Sequence, residues 1–372
     1  MRIGVLGGGQ LGRMLGLAGI PLGCQMSFYD DAIDIPARCT GIAVRARYDD
    51  YEALRKFASG LDAVTYEFEN IPVEAVQMLE KHVKVYPGSR ALEVSQDRVA
   101  EKEFLASTGA PVGQWMQVDS ADDIELVFDQ LGPCILKTRR FGYDGKGQFR
   151  VKTPADCENG WKALNGLPSV AEKLILFDRE VSLVGARSQS GEQRFWPLIE
   201  NVHVDGILHR SEAPAPDVLP ELQDRAEKIV SNIMASLDYV GVLTVEFFVL
   251  DGHLLVNEMA PRVHNSGHWT IEGSVTSQFE NHMRAVMGLS LGSTSTRFRS
   301  IMYNAIGTLP KQDELCRIAG AHYHSYNKDP RENRKVGHVT ICDEPVAAVD
   351  QSFRSRAENV EALIMEARNR VG

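Results

Sequence analysis

The chain has 372 residues, 44% hydrophobic and 24% charged, which at roughly 150 residues per domain suggests two or three packed domains and excludes wholesale disorder or fibrous repeats. Its 50 acidic against 40 basic side chains give a formal charge of -10, the wrong sign for a broad nucleic-acid surface, so any phosphate site is local. The longest apolar stretches, such as Tyr239 to Leu250 with Thr244 and Glu246 inside it, fall far short of the ~20 residues of a membrane-spanning helix.

Met1-Arg2 leads directly into a strand-like run with no separate secretory segment, so a cytoplasmic protein is expected. Arg2 to Leu6 reads as a buried strand, Gly7 to Gly12 as a glycine turn, Leu11 to Leu22 as a helix and Gln25 to Tyr29 as a second strand. Strands at Ala63 to Tyr66 and Val83 to Val85, with the amphipathic Val73 to Lys81 between them, complete a doubly wound unit over residues 1–95. A helix over Gln96 to Ser107 opens a second region, 96–295, in which a smaller subdomain spans about 110–180. Ile135 to Thr138, Leu174 to Phe177 and Glu180 to Gly185 read as strands there. Val242 to Leu250 and His253 to Asn257, joined by Asp251-Gly252, form the clearest hairpin, and Ser277 to Met287 closes the region as a helix. Residues 296–372 hold short strands, the polar cluster Ser325 to Lys335, a strand at Gly337 to Cys342 and a final helix at Ser355 to Asn369. The six cysteines (Cys24, Cys39, Cys134, Cys157, Cys316, Cys342) show no C-x-x-C spacing, which points to reduced thiols rather than a thiolate zinc site.

Four segments carry chemistry. Gly7-Gly8-Gly9-Gln10-Leu11-Gly12 fits G-x-G-x-x-G between strand and helix, with Asp30 and Asp31 near the place of a ribose-binding acid, and taken alone permits a nicotinamide dehydrogenase. Tyr143-Asp144-Gly145-Lys146-Gly147-Gln148 is a glycine loop with a lysine, following Lys137 on a buried strand. Two ammonium groups and bare backbone suit phosphate oxygens, although the loop alone is equally an exposed hairpin. Glu246, inside an apolar strand, and Glu258, on the partner strand beside Asn257, need compensation if buried, and a magnesium ion would supply it. Arg262, His264 and Asn265 follow at once, a set of donors suited to an oxyanion.

Together these residues resemble the ATP-grasp superfamily, and within it the ribonucleotide-carboxylating ligases of purine biosynthesis. The most specific markers are Lys137-Thr138-Arg139-Arg140-Phe141-Gly142-Tyr143-Asp144-Gly145-Lys146-Gly147 and Asn257-Glu258-Met259-Ala260-Pro261-Arg262-Val263-His264-Asn265-Ser266-Gly267-His268, supported by Thr65-Tyr66-Glu67-Phe68-Glu69-Asn70. The resemblance implies a mixed α/β and α+β fold: an N-terminal doubly wound parallel-sheet domain, a central two-subdomain ATP-grasp unit and a small C-terminal β-rich domain. It implies ATP- and bicarbonate-dependent carboxylation of aminoimidazole ribonucleotide through carboxyphosphate. ATP would meet Arg98, Lys137, the loop Gly142 to Gln148, Glu172, Lys173, Leu174 and Ile175, Glu180, His203, Asn257 and Glu258. One or two Mg²⁺ ions would sit on Glu246 and Glu258, where the family often has Asn at the position of Ala260. The ribonucleotide would meet Gln10, Leu11, Glu67, Tyr143, Lys146, Lys328, Arg334 and Lys335. The partners implied are small molecules only, with no nucleic acid and no membrane, a homodimer and a functional link to the downstream mutase. The nearest rival is a formate-dependent glycinamide ribonucleotide transformylase. Asn265, where that relative tends to carry an acid, argues against it.

Overall fold

The computed structural model describes residues 1–142, 147–344 and 352–370. Of the residues singled out above, Tyr143, Asp144, Gly145 and Lys146 lie outside the described set.

The first sheet is parallel: β1 (Arg2–Leu6), β2 (Gln25–Asp30), β3 (Ile42–Arg45) and β4 (Ala63–Tyr66) in the order β3-β2-β1-β4. Helices α1 (Gln10–Gly19), α2 (Tyr51–Ala58), α3 (Val73–Glu80), α4 (Ser89–Ser95) and α5 (Arg98–Ser107) follow in chain order. A second, antiparallel sheet contains β5 (Trp115–Val118), β6 (Cys134–Thr138), β7 (Gln148–Val151) and β8 (Ser169–Lys173), ordered β5-β8-β6-β7. The third has nine strands: β9 (Arg179–Arg187), β10 (Gln193–Phe195), β11 (Ile199–Val204), β12 (Ile207–Ala213), β13 (Gly241–Leu250), β14 (His253–Ala260), β15 (Ser300–Gly307), β16 (Ala321–Ser325) and β17 (Arg331–Cys342). Its order is β14-β13-β9-β11-β12-β15-β17-β16, with β10 paired to β9. The C-terminal strands therefore extend the central sheet through the antiparallel β12–β15 pair rather than forming a sheet of their own.

Several local expectations need correction. The strand expected at Val83 to Val85 is a single parallel bridge, Val64 to Val85. The strand expected at Leu174 to Phe177 does not form: β8 ends at Lys173, and the chain crosses irregularly to the large sheet with Leu176 largely exposed. The helix expected over Gln96 to Ser107 forms as α5, starting two residues later because the Asp97 carboxylate accepts from the Val99 and Ala100 N–H groups, and the separate helix α4 before it was not expected. β3 and α2 went unpredicted; β3 is exposed or half-buried along its length and lacks the apolar alternation that marks a strand. β17 begins at Arg331, so the latter half of the polar cluster is strand rather than loop.

The glycine turn shows why its residues are what they are. Gly7 has φ of 95°, and a Cβ there would stand 2.5 Å from Glu67 Cγ; one on Gly9 would stand 2.5 Å from Glu67 Oε1. The missing side chains make room for Glu67, which accepts from Gly9 N–H at 2.6 Å and Gly12 N–H at 2.8 Å, while Asp30 takes Gly8 N–H at 2.7 Å. No helix among the described residues is long and apolar enough to cross a membrane.

Candidate functional site

A cavity of about 1320 Å³ opens where the three sheets meet, and every described residue expected in the site lines it. Its floor is the β13–β14 hairpin. Glu246 and Glu258 are direct cross-strand partners there, with a bulge between Glu246 and Phe247. Like charges in register repel, so the pair persists only with compensation. Arg98 Nη1 lies 2.9 Å from Glu258 Oε2, and His264 Nε2 lies 3.3 Å from Glu246 Oε1. The two carboxyl groups diverge accordingly. Burial and the neighbouring Glu258 push Glu246 upward, whereas Arg98 and Lys137 hold Glu258 below its ordinary range against burial. Asn257 Oδ1 beside them is buried with no hydrogen-bond partner. Two carboxylates and an unpartnered amide oxygen form a hard-oxygen donor set that fits Mg²⁺.

Helix α5 holds this floor in place. Arg98, Glu101 and Lys102 share one face by their i, i+3, i+4 spacing. Arg98 takes Glu258, the buried Glu101 Oε1 accepts the Met259 N–H at 2.7 Å, and Lys102 Nζ donates to Asn257 O at 3.2 Å. Lys102 Nζ also lies 3.1 Å from Glu172 Oε1, whose other oxygen holds Lys137 Nζ at 2.8 Å. Glu172 on β8 thus ties the small sheet to α5, and its carboxylate faces two lysines. Burial and the adjacent Glu258 push Glu101 up to about 8. The sequence reading missed Glu101 and Lys102, although their spacing from Arg98 was a usable signal.

Around the expected ATP volume, Gly142 and Gly147 are the described residues on either side of 143–146, Lys137 on β6 pairs with Gln148 on β7, and Gly142 O accepts from Arg98 Nη2 at 3.4 Å. Leu174 and Ile175 line the crossing segment, and Lys173 Nζ reaches Gln114 Oε1 at 3.0 Å. Phe177 and Phe248 stack at 4.6 Å. Glu180 is in contact with His203 Nδ1.

The segment after Glu258 is anchored from three sides. Arg262 makes a bidentate pair with Glu69 through Nε and through Nη2, the latter at 2.9 Å. Asn265 and Asn304 exchange amide hydrogen bonds at 2.9 and 2.8 Å, so a β15 residue steadies the loop. Gln278 clamps the His264 backbone at both N–H and C=O. Asn304, a lone amide in an apolar strand, also escaped the sequence reading. On the far side, Lys328 Nζ meets Gln10 Oε1 near Glu67, with Leu11 beneath and Arg334 and Lys335 on the same rim. Burial pushes Lys328 down to about 8; Glu67 opposes this, and Arg334, Lys335 and Arg331 add to it.

The glycine turn cannot serve a nicotinamide cofactor as first entertained. Asp30 and Glu67 already occupy the N–H groups a pyrophosphate would need.

A parallel-sheet domain feeding a two-sheet clamp, with cross-strand carboxylates under a lysine-bearing hairpin, defines an ATP-grasp ligase. The "ATP-grasp domain" profile matches residues 103–279, preceded by a "Ribonucleotide synthetase preATP-grasp domain" over 1–96 and followed by a "Phosphoribosylaminoimidazole carboxylase C-terminal domain" over 300–352. A curated relative from Pseudomonas aeruginosa, N5-carboxyaminoimidazole ribonucleotide synthase, is 47% identical over 98% of this chain and 99% of its own. The chain belongs to the N5-carboxyaminoimidazole ribonucleotide synthase family. Among solved structures, the synthetase from Thermus thermophilus superposes with a TM-score of 0.92 at 48% identity, covering 97% of this chain and 98% of that one. A synthase from Aspergillus clavatus, in complex with ADP and 5-aminoimidazole ribonucleotide, gives 0.88 at 30% identity over 100% and 99%.

The α5 clamp is testable. Lys102→Met leaves Glu172 to pull on Lys137 alone, and the KM for ATP is expected to rise roughly tenfold, the worth of one charge-assisted contact. Steady-state kinetics at saturating second substrate check this; an unchanged KM contradicts the clamp.

Proposed function

We propose that the chain catalyses ATP-dependent carboxylation of 5-aminoimidazole ribonucleotide by bicarbonate in purine biosynthesis, releasing ADP and phosphate. The observation that carries this reading is that the Glu246–Glu258 pair, the Arg262-His264-Asn265 donors and the Gln10-Glu67-Lys328 cluster all face one cavity.

Bicarbonate is a poor electrophile, and phosphorylation activates it. A bicarbonate oxygen bonds to the γ-phosphorus, the bond to ADP breaks, and carboxyphosphate results. Its C–O bond then breaks, phosphate leaves with the electron pair, and the CO₂ formed is attacked by the exocyclic amine, whose proton passes to the departed phosphate as the carbamate forms. Arg98 and Lys137 offset charge on the triphosphate. Glu246, Glu258 and Asn257 would hold Mg²⁺, which neutralises phosphate charge when bound. Arg262, held by Glu69, orients the bicarbonate anion, while His264 and Asn265 donate to it. Gln10 and Glu67 address the ribose, and Lys328, Arg334 and Lys335 the ribonucleotide phosphate. Tyr143 to Gln148 would close over the triphosphate, with Tyr143 and Lys146 reaching the second substrate. The intermediate hydrolyses readily, so closure protects it. A cytoplasmic homodimer that passes its product to the downstream mutase completes the proposal, on the ground of the resemblance above.

ADP release measured with each substrate withheld in turn tests the reading: full turnover needs both bicarbonate and the ribonucleotide. Formate replacing bicarbonate without loss would refute it in favour of the transformylase. Only the ammonium form of Lys328 attracts phosphate, so kcat/KM for the ribonucleotide is expected to fall as pH rises through about 8. Lys328→Arg is expected to abolish that fall, and Lys328→Ala to raise the ribonucleotide KM roughly 10–100-fold with little change for ATP. Equal effects on both substrates would contradict the role.

A further inference from the structure

His264 stands on the loop beside the carboxylate pair, and the hydrogen bonds behind it decide which of its nitrogens carries the proton. His264 Nδ1 is approached by the Ser266 backbone N–H at 3.3 Å and by the Ser266 hydroxyl at 2.9 Å. A backbone N–H can only donate, so Nδ1 is an acceptor and the neutral ring keeps its proton on Nε2.

That constraint propagates into the protein. With Nδ1 accepting, the Ser266 hydroxyl donates to it, and Ser266 Oγ accepts in turn from the Ser182 hydroxyl at 2.8 Å. Ser182, on β9, then accepts from the Asn201 side-chain amide on β11 at 2.9 Å, and Asn201 Oδ1 accepts from the Ser211 hydroxyl on β12 at 2.8 Å. Ser266, Ser182 and Ser211 are fully buried and Asn201 nearly so. Two hydroxyl neighbours would tolerate either orientation of the Asn201 amide; only one is compatible with an accepting Nδ1. At the exposed end of the chain, Nε2 points to Glu246 Oε1 at 3.3 Å.

We infer that Ser211, Asn201, Ser182 and Ser266 form a one-way hydrogen-bond chain that locks His264 as the Nε2–H tautomer, making it a fixed oxyanion donor in the carboxylation and not the base that removes the amine proton. Both ring nitrogens are spoken for: Nδ1 by its two donors and Nε2 by its own hydrogen. Ser182 and Asn201 touch no substrate and act as positioning residues. The donor role rests on the bicarbonate reading of this loop; the tautomer does not.

Nitrogen-15 NMR of histidine-labelled protein near neutral pH tests the tautomer directly, with the His264 signals identified by their loss in His264→Gln. A pyridine-type Nδ1 and a pyrrole-type Nε2 are expected, and the reverse pattern overturns the inference. Asn201→Asp cannot donate to Ser182, so it is expected to move His264 toward the other tautomer and to lower kcat while leaving the KM for ATP alone. Should that variant misfold, Ser182→Ala frees the Ser266 hydroxyl to turn away from Nδ1 without adding charge, leaving the backbone N–H alone to hold the tautomer, and is expected to shift the ring signals part of the way toward averaging; an unchanged spectrum overturns the chain. For the donor role, His264→Ala is expected to lose roughly 10²–10³ in kcat, the worth of one oxyanion donor, while His264→Gln, which keeps an N–H but no basic nitrogen, retains most of it. Equal losses would identify His264 as a base and overturn the donor assignment. A normal bicarbonate KM in His264→Ala would sink the bicarbonate reading of the loop and leave the NMR result standing.

Discussion

Two carboxylates face each other in register across the β13–β14 hairpin, and most of the architecture compensates or exploits that repulsion. Arg98 opposite Glu258 offsets part of that repulsion, and because the Glu258 side chain is 38% exposed, solvent screens some of the rest. Glu246 meets the protonated edge of an imidazole instead of a full cation. The pair is thus incompletely neutralised by protein alone. With the unpartnered Asn257 Oδ1, the two carboxylates form a hard-oxygen donor set of the kind that suits a divalent cation.

The three sheets divide the remaining work. The nine-stranded sheet supplies the hairpin and, through β9, β11 and β12, the polar chain behind His264. The small sheet brings Lys137 and its holder Glu172. The N-terminal sheet contributes Glu67 and Glu69 from the end of β4, one accepting from the glycine turn and the other fixing Arg262. Because β15 extends the central sheet, Asn304 reaches Asn265 and the C-terminal cations face the same cavity as Lys137. Chemistry on a short-lived intermediate calls for that convergence on one enclosed volume.

Much of this was legible in the amino-acid sequence. Glu246 stood out because a carboxylate interrupts an apolar strand, and the Asp251-Gly252 turn put Glu258 opposite it. Ala63 to Tyr66 and the β13–β14 hairpin read correctly because a short apolar run and turn chemistry are local signals. What escaped was non-local. β3 lies exposed at a sheet edge and lacks an apolar stripe, and Leu174 to Phe177 is apolar yet irregular because it crosses between sheets. Glu101, Lys102 and Asn304 acquire meaning only from partners brought in from distant segments, Met259, Glu172 and Asn265. The glycine turn misled toward a dinucleotide because its true anions are the protein's own Asp30 and Glu67, separated from it by 22 and 58 residues.

Calorimetric titration of the full chain with ADP, with and without Mg²⁺, tests the central claim most directly. The account predicts that affinity depends strongly on Mg²⁺ in the natural chain and that Glu258→Gln removes this dependence without unfolding the protein. Nucleotide binding of equal strength with and without the metal would contradict it.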